Sequence, residues 1–362
     1  MMINLSIVAH VVALGISIMK QFDYIWRLAD LCQDKKHIKV FSCFSCGGGS
    51  TMGYKRAGFD VIGNVEIDKN INDVYIRNHH PKYNFNMDLR DFNKLEVLPE
   101  ELFELDILDG SPPCSTFSMA GEREKVWGKE KAFKEGQKKQ VLDDLFFVFL
   151  ETVKRLQPKI VIAENVMGMI KGNAKGYVNA VLKGFKALGY QVQLFHLDAA
   201  YMDVPSKRER LFFIANRLDL PPLKLKFDLP PIKFGTVRSE HGIPLRKNSK
   251  AVRLLKLAKR SDHSLGHINE RINGKNTSFN DSLTLDDRIC STIASSGMML
   301  RMHDLMRFSD HDFIVCQTFP QDYDFCGRSV QYICGMSVPP NMMAHIANEI
   351  WIQWLRSERY NG

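Results

Sequence analysis

From about residue 38 to residue 220 the chain alternates short β-rich runs with helical patterns, and this rhythm restricts the fold more than any other feature. "IKVFSCFS" is an apolar run ending in a glycine cluster, "CGGGS", after which "TMGYKRAG" can open a helix. "FDVIGNVEI" predicts a second strand, "DKNINDVYIRNH" a helix and "LFELDILDG" a third clear strand. "VLDDLFFVFLETVKRL" carries apolar residues at helical spacing, and "PKIVIAENV" is β-rich. "KGYVNAVLKGFKALG" reads as an amphipathic helix ahead of the strands "YQVQLFHLDAA" and "RLFFIAN". Such alternation predicts an α/β fold, a doubly wound, mainly parallel sheet with ligands at the C-terminal strand ends.

The rhythm stops near 220, where "LPPLKLKFDLPPIKFG" carries two Pro-Pro pairs and marks a boundary. Residues 221–275 hold thirteen Lys/Arg and four Asp/Glu, an excess of nine positive charges, against a net charge of +8 for the whole chain. A solvated basic surface is the plain reading of a charge run. Here the excess is concentrated in an irregular Gly/Asn/Ser-rich insertion, which favours nucleic-acid contact. The last fifty residues end in "GMSVPPNMMAHIANEIWIQWLR", a return to a packed domain through a long apolar helix. The expected division is an N-terminal extension (1–37), a catalytic domain (38–220), a smaller irregular recognition domain (221–305) and a C-terminal return (306–362).

Composition narrows the classes further. Hydrophobic residues make up 45% and charged residues 25% of 362 residues, the balance of a folded soluble protein with sizeable cores. Eight cysteines are too sparse for a disulfide scaffold, so reduced thiols and a cytoplasmic location are expected. Residues 3–19 contain no Asp, Glu, Lys or Arg. They lack the basic start and cleavage site of a secretory signal and are short for a membrane span. An apolar accessory helix is the expectation, with Met19 an alternative start and no membrane role.

In "FSCFSCGGGSTMGY", a strand, a glycine cluster and a helix start give the geometry of a nucleotide-type cofactor loop around Ser45, Gly47, Gly48 and Gly49. Glu66, about twenty residues on, ends the second strand, where a carboxylate can take two ribose hydroxyls. Asp88 follows a plausible third strand and is placed to reach an adenine amino group. There is no GxGxxG and no P-loop Lys-Ser/Thr, so a ligand without phosphates fits better than NAD or ATP. S-adenosylmethionine is the natural candidate, with its sulfonium facing an aromatic such as Phe44. Cys43 and Cys46 form a CxxC, yet the glycines after Cys46 weaken the helix start a redox pair needs, and no second CxxC completes a metal site. No metal is expected.

"GSPPCSTFS" places Cys114 at the tip of the strand beside the cofactor strand, on a chain stiffened by Pro112 and Pro113. A nucleophilic thiol needs exposure and a proton-handling partner. Glu164 in "AENV" ends the next apolar strand and would point into the same cleft, where apolar surroundings favour the neutral, proton-donating form of a carboxyl. Arg208 and Arg210, in "VPSKRERLFFIA", come from a further strand start on the same side; a surface ion-pair cluster with Glu209 remains open for them.

The order FSxxGG, E-I-D, PPC, ENV, RxR before an apolar strand, then GxSVPP resembles the cytosine-C5 DNA methyltransferases over about 38–220 and 290–350. The resemblance implies a Rossmann-like class I methyltransferase domain with a target-recognition domain. It implies Cys114 as the nucleophile at cytosine C6, Glu164 at N3, Asn165 shaping the site, Arg210 at O2 and Arg208 supporting the loop. It places Phe44, Glu66, Ile67, Asp88 and Leu89 in the S-adenosylmethionine pocket, with Ser337 near the methionine end and Pro113 beside it. Thr292, in "STIASSG", would support an extruded nucleotide, and the hydroxyls after Cys114, Ser118 among them, would serve the loop and the DNA backbone. Double-stranded DNA is the implied partner of a monomeric bacterial or phage enzyme, with a cognate restriction endonuclease as a possible companion. The loop "GEREKVWGKEKAFKEGQKK", with seven Lys/Arg and four Glu, would close over flipped DNA.

The sequence departs from the family pattern at four positions. Cys46 replaces the first glycine of FxGxGG, Ser115 the glutamine after the nucleophile, Ser206 the glutamine of QxRxR, and Met336 the asparagine of GNSV. The alternatives are a transfer-RNA cytosine-C5 methyltransferase, whose Cys-Phe-Thr tripeptide is missing here, and a catalytically inactive DNA-binding homologue, which would need neither Cys114 nor Glu164.

Overall fold

The computed structural model describes residues 20–31, 35–113, 144–170, 175–275 and 281–356. The alternation becomes β1 (Lys39–Cys43), α1 (Gly49–Arg56), β2 (Asp60–Val65), α2 (Lys69–His79), β3 (Tyr83–Phe85), α3 (Leu89–Phe92), β4 (Ile107–Gly110), α4 (Leu145–Leu156), β5 (Ile160–Val166), α5 (Lys175–Ala187), β6 (Gln191–Asp198) and β7 (Glu209–Asn216). The seven strands form one sheet in the order β3-β2-β1-β4-β5-β7-β6. Every pairing is parallel except those of β7, which runs antiparallel to both neighbours. The reason is the connection: residues 199–208 contain a single 3-10 turn, too little for the crossover a parallel strand requires.

Period-two alternation sends successive strand residues into different cores. Phe41, Leu108 and Val161 face the layer of α4 and α5, with Phe149 and Phe185. Val40, Ile107 and Ile162 face the opposite layer, with Met343 and Ile346. Both faces are covered, so the central strands are apolar throughout.

The chain does not leave this body at once after residue 220. Leu223 is buried, and the Gln193 amide donates to and accepts from its backbone at 3.0 and 2.7 Å. A separate small core follows around Leu254, Leu265, Ile268, Leu283 and Leu300. It is built from α6 (Lys250–Leu255), α7 (Leu265–Asn273) and the parallel pair β8 (Asp281–Thr284) and β9 (Met298–Arg301). Three of its flanking cations turn to carboxylates: Arg238 to Asp286, Arg260 to Asp287 and Arg271 to Asp262. The chain then returns through α8 (Asp310–Cys316), α9 (Val330–Met336) and α10 (Pro340–Ile350).

Helix α10 lies against α1, and Gly53 makes that approach possible. A Cβ there would sit 2.5 Å from Met343 Cβ and 2.6 Å from the Pro340 carbonyl oxygen. At the other end of the sequence, Phe22 and Trp26 are buried, and Asn341 donates to the carbonyls of Phe22 (3.0 Å) and Asp203 (2.9 Å). Residues 20–31 thus belong to the larger body; the apolar run 3–19 lies outside the described residues. Among the described residues, no helix is long and apolar enough to cross a membrane. Gly53→Ala is expected to destabilise the fold by about 1–3 kcal/mol through overpacking, measured by denaturant unfolding; a change within about 0.5 kcal/mol would contradict the close α1–α10 contact.

Candidate active site

Strand order reverses between β1 and β4, and open α/β sheets bind ligands outside the strand ends at such a switch point. Cys43 and Gly110 are register partners there, and the Ser111 N–H donates to the Cys43 carbonyl at 3.4 Å. The glycine loop and the Pro-Pro loop therefore leave the sheet side by side. A cleft enclosing about 110 Å³ opens between them. Phe44, Ile67, Leu89 and Leu145 stand in its apolar walls, Glu66, Asp68 and Asp88 are its acids, and Pro113, Tyr332 and Met336 close its other side. Apolar walls with a few convergent acceptors fit an adenosine-bearing ligand such as S-adenosylmethionine.

Glu66 and Asp88 are both held in place. Glu66 is buried and accepts the Cys46 N–H at 2.8 Å and the Asp68 N–H at 3.0 Å, one on each oxygen. Burial pushes its carboxyl above the usual range while these amides oppose the shift. Asp88 caps α3 through the Arg90 N–H at 2.8 Å and pairs with the Arg90 guanidinium at 3.1 Å. Each carboxyl oxygen retains acceptor capacity for a ligand hydroxyl or amine.

Ser45, Gly47, Gly48, Gly49 and Ser337 stand one layer behind the residues that line the cleft. Gly48 adopts the left-handed conformation (φ 78°), and a Cβ there would lie 2.2 Å from His79 Nε2. A Cβ on Gly49 would lie 2.1 Å from the Val338 carbonyl oxygen. The glycines thus admit α2 and the α9–α10 turn as close neighbours of the loop. Ser45 accepts from Asn64 Nδ2 at 3.0 Å, and the Ser337 hydroxyl donates to the Ile333 carbonyl at 2.8 Å.

Cys46 does line the cleft, with φ of 46°, a conformation in which glycine is at ease. Burial, followed by the nearby Glu66 charge, pushes its thiol up to about 12, and burial also raises the Cys43 thiol. Neither thiol has the lowered pKa of a redox pair.

The second half of the site comes from the antiparallel β5/β7 pair. Glu164 lies opposite Phe212 and Val166 opposite Arg210, so Glu164 and Arg210 share a face on a diagonal. Arg210 Nε meets Glu164 Oε1 at 2.8 Å, with both side chains largely buried. The pairing is with Glu164, so the surface cluster with Glu209 is not the arrangement that forms; Arg210 touches only the Glu209 carbonyl, at 2.8 Å. Asn165 turns the other way and donates Nδ2 to the Pro112 carbonyl at 3.0 Å, which fixes the loop two residues ahead of Cys114.

Arg208 is buried and donates to two carbonyls, Ile293 at 3.3 Å and Gly335 at 3.0 Å. It joins the segment carrying the exposed Thr292 to α9. Burial, and then the charge of Arg210, lower its pKa to about 9. Cys114, Ser115, Ser118 and the basic loop after them lie outside the described residues.

Residues 38–351 match the family described as C-5 cytosine-specific DNA methylase. The chain belongs to that family. It is 35% identical over 209 residues to the type II methyltransferase M.NgoPII of Neisseria gonorrhoeae, covering 58% of this chain and 55% of that one. To M.FnuDI of Fusobacterium nucleatum it is 34% identical over 193 residues, 53% and 51% of the two chains. The chain spans about half the length of these curated relatives. M1.HphI of Haemophilus parahaemolyticus aligns over 85% of both chains at 26% identity. An E. coli prophage protein described as a DNA modification methyltransferase shares the fold (TM-score 0.61, 18% identity, covering 87% of this chain and 99% of that one). So does a Spodoptera frugiperda DNMT2 mutant (TM-score 0.59, 15%, 87% and 99%).

Two departures from the methylase pattern have local explanations. Ser206 is fully buried and its hydroxyl donates to the Cys316 carbonyl at 2.8 Å, so a short side chain suits the space. Met336 is exposed and presents a thioether to the cleft in place of a carboxamide. Sequence reasoning did not single out Leu145 and Tyr332 as cleft residues. Tyr332 and Met336 are four apart on α9, a helical spacing that the short segment before "SVPP" did not declare.

A further buried acid lies on β4. Asp109 accepts from the Ser42 hydroxyl at 2.8 Å and the Tyr54 hydroxyl at 3.0 Å, and burial raises its pKa to about 7 against that help. The folded state therefore holds this proton to a higher pH than the unfolded chain, whose carboxyl titrates near 3.8. Its favourable contribution is complete below about 3.8 and is lost as pH rises through about 7. Unfolding free energy is expected to fall in that window by up to about 1.4 kcal/mol per pH unit, and Asp109→Asn should flatten that slope in denaturant titrations. Arg210→Ala strands a buried carboxylate and is expected to cost about 3–5 kcal/mol. Adding Glu164→Gln should recover much of that loss, and a double variant as unstable as the sum of both singles would refute the pairing.

Proposed function

We propose that the protein is a DNA (cytosine-5-)-methyltransferase, which moves a methyl group from S-adenosylmethionine to C5 of a cytosine flipped out of a specific duplex sequence. The observation that carries this reading is the buried Glu164–Arg210 pair, tied through Asn165 and Pro112 to the loop that leads into Cys114. A pure binding module has no need of a buried carboxyl and guanidinium beside a thiol-bearing loop. The DNA methyltransferase relatives support the same substrate class.

The bound cofactor supplies an electrophilic methyl group on a positively charged sulfur. Cytosine C5 is a poor nucleophile, and this chain's residues change that. The Cys114 thiolate adds to C6, and the displaced electron pair makes C5 enamine-like. Glu164, in its protonated form when cytosine is bound, hydrogen-bonds or protonates N3, where negative charge would otherwise collect, while Arg210 holds both Glu164 and the cytosine O2. C5 takes the methyl group as its bond to the sulfonium sulfur breaks, leaving a neutral thioether; loss of the C5 proton to solvent water and expulsion of the Cys114 sulfur as thiolate then restore the ring. Glu66 and Asp88 hold the adenosine end and Phe44 faces the sulfonium, so that positioning supplies much of the acceleration. A stacked base cannot meet Cys114, which requires extrusion, supported by Thr292 from the recognition side. The basic segment 221–275 and the loop 121–139 contact phosphates. The enzyme acts as a monomer in the cytoplasm, and the type II names of its relatives favour a companion restriction endonuclease.

The test is methyl transfer from labelled S-adenosylmethionine to DNA of diverse sequence and, in parallel, to transfer RNA. Transfer to DNA, lost in Cys114→Ser, is expected; transfer to RNA alone would select an RNA methyltransferase instead. DNA containing 5-fluorocytosine should trap an adduct on Cys114, and an adduct on any other residue would overturn the nucleophile. DNA affinity is expected to fall by about a thousandfold or more between roughly 50 and 200 mM salt if six or more phosphates are contacted.

A further inference from the structure

The matched family region begins at residue 38, yet residues 20–31 are built into the larger body. Trp26 is buried, its indole N–H donates to the Thr318 carbonyl at 2.8 Å, and its own carbonyl accepts from the Gln321 N–H at 2.8 Å. The Leu28 and Ala29 N–H groups donate to the two oxygens of Asp322, at 2.6 and 3.2 Å. The turn gripped in this way leads directly to Tyr323, whose buried hydroxyl donates to the Gly47 carbonyl in the glycine loop. The ring of Trp26 also carries the Arg56 guanidinium at 4.4 Å, at the far end of the helix that the glycine loop begins.

We propose that residues 20–31 are a strap that positions the cofactor loop, acting through Asp322 and Tyr323 on the Gly47 carbonyl. The proposal rests on reading the cleft as the S-adenosylmethionine site. Three consecutive glycines give the loop wide conformational freedom, and ordering it on binding would weaken affinity. Two adjacent backbone groups are anchored instead. Glu66 holds the Cys46 N–H from the cleft side, and Tyr323 holds the Gly47 carbonyl from behind. Cys46, which with Phe44 carries the loop's contact with the cleft, is thereby flanked by an anchored N–H of its own and an anchored carbonyl on Gly47. Trp26, Asp322 and Tyr323 do not line the cleft, so they are positioning residues.

The test is calorimetric titration of the full chain with S-adenosylhomocysteine, alongside thermal midpoints and initial rates. Tyr323→Phe is expected to weaken binding about five- to tenfold, the worth of one hydrogen bond. Its thermal midpoint and its kcat at saturating cofactor should stay near wild type. Asp322→Ala should weaken binding in the same way, and the double variant should lose no more than the larger single loss, because both act on one carbonyl. Leu355→Ala, a buried truncation beyond the end of α10, supplies the control: its lower midpoint should leave affinity unchanged. Wild-type affinity in Tyr323→Phe, or losses of affinity that merely track the midpoint across all variants, would overturn the strap. A wild type that binds no S-adenosylhomocysteine would overturn the reading of the cleft, and the strap with it.

Discussion

Everything at the candidate site depends on the divergence of two neighbouring parallel strands, β1 and β4. The helix that follows β1 packs on one face of the sheet and the helix that follows β4 on the other, and the cleft opens between the strand ends at Cys43 and Gly110. One loop from that edge meets the cofactor-shaped cleft and the other leads to Cys114. The antiparallel β7 then adds something a purely parallel sheet lacks: the start of a strand at the edge where its neighbours end. That reversal lets Arg210 reach Glu164 across one diagonal of the sheet.

Several charges here are held at a cost to stability. Glu66, Asp109 and Arg208 are all shifted toward their neutral forms by burial; hydrogen bonds oppose the shift at the two acids, and the Glu164 charge opposes it at Arg208, without cancelling it. Arg208 is the clearest instance, since its two acceptors are neutral carbonyls and its Nε has no partner. An uncompensated guanidinium in an apolar interior is poor design for stability alone. It suits a junction where the segment around Ile293, α9 and the β7 edge must keep one relative placement.

The strands and the order of helices were legible because they carry strong local signals: short β-rich apolar runs, helical apolar spacing and a glycine cluster at a helix start. Glu66, Glu164 and Arg210 could be placed because they sit at ends of apolar runs. The return of β7 was less legible, since its direction depends on the length of a connection rather than on the strand's own residues. The role of the glycines was only half visible: sequence suggested close approach of a ligand, whereas Gly48 and Gly49 meet His79 and Val338. Residues 20–31 were not singled out in the sequence, and they are held by partners some three hundred residues away, such as Thr318 and Asp322.

That distance has a consequence during synthesis. The face of α1 around Gly53 is closed by Met343, which leaves the ribosome on the order of 15–60 seconds later at roughly 5–20 residues per second. The nascent sheet therefore waits with an apolar flank open, and the chain is most prone to wrong association in that interval. Among the described α-helices, the last to emerge, α10, closes the face of the first, α1.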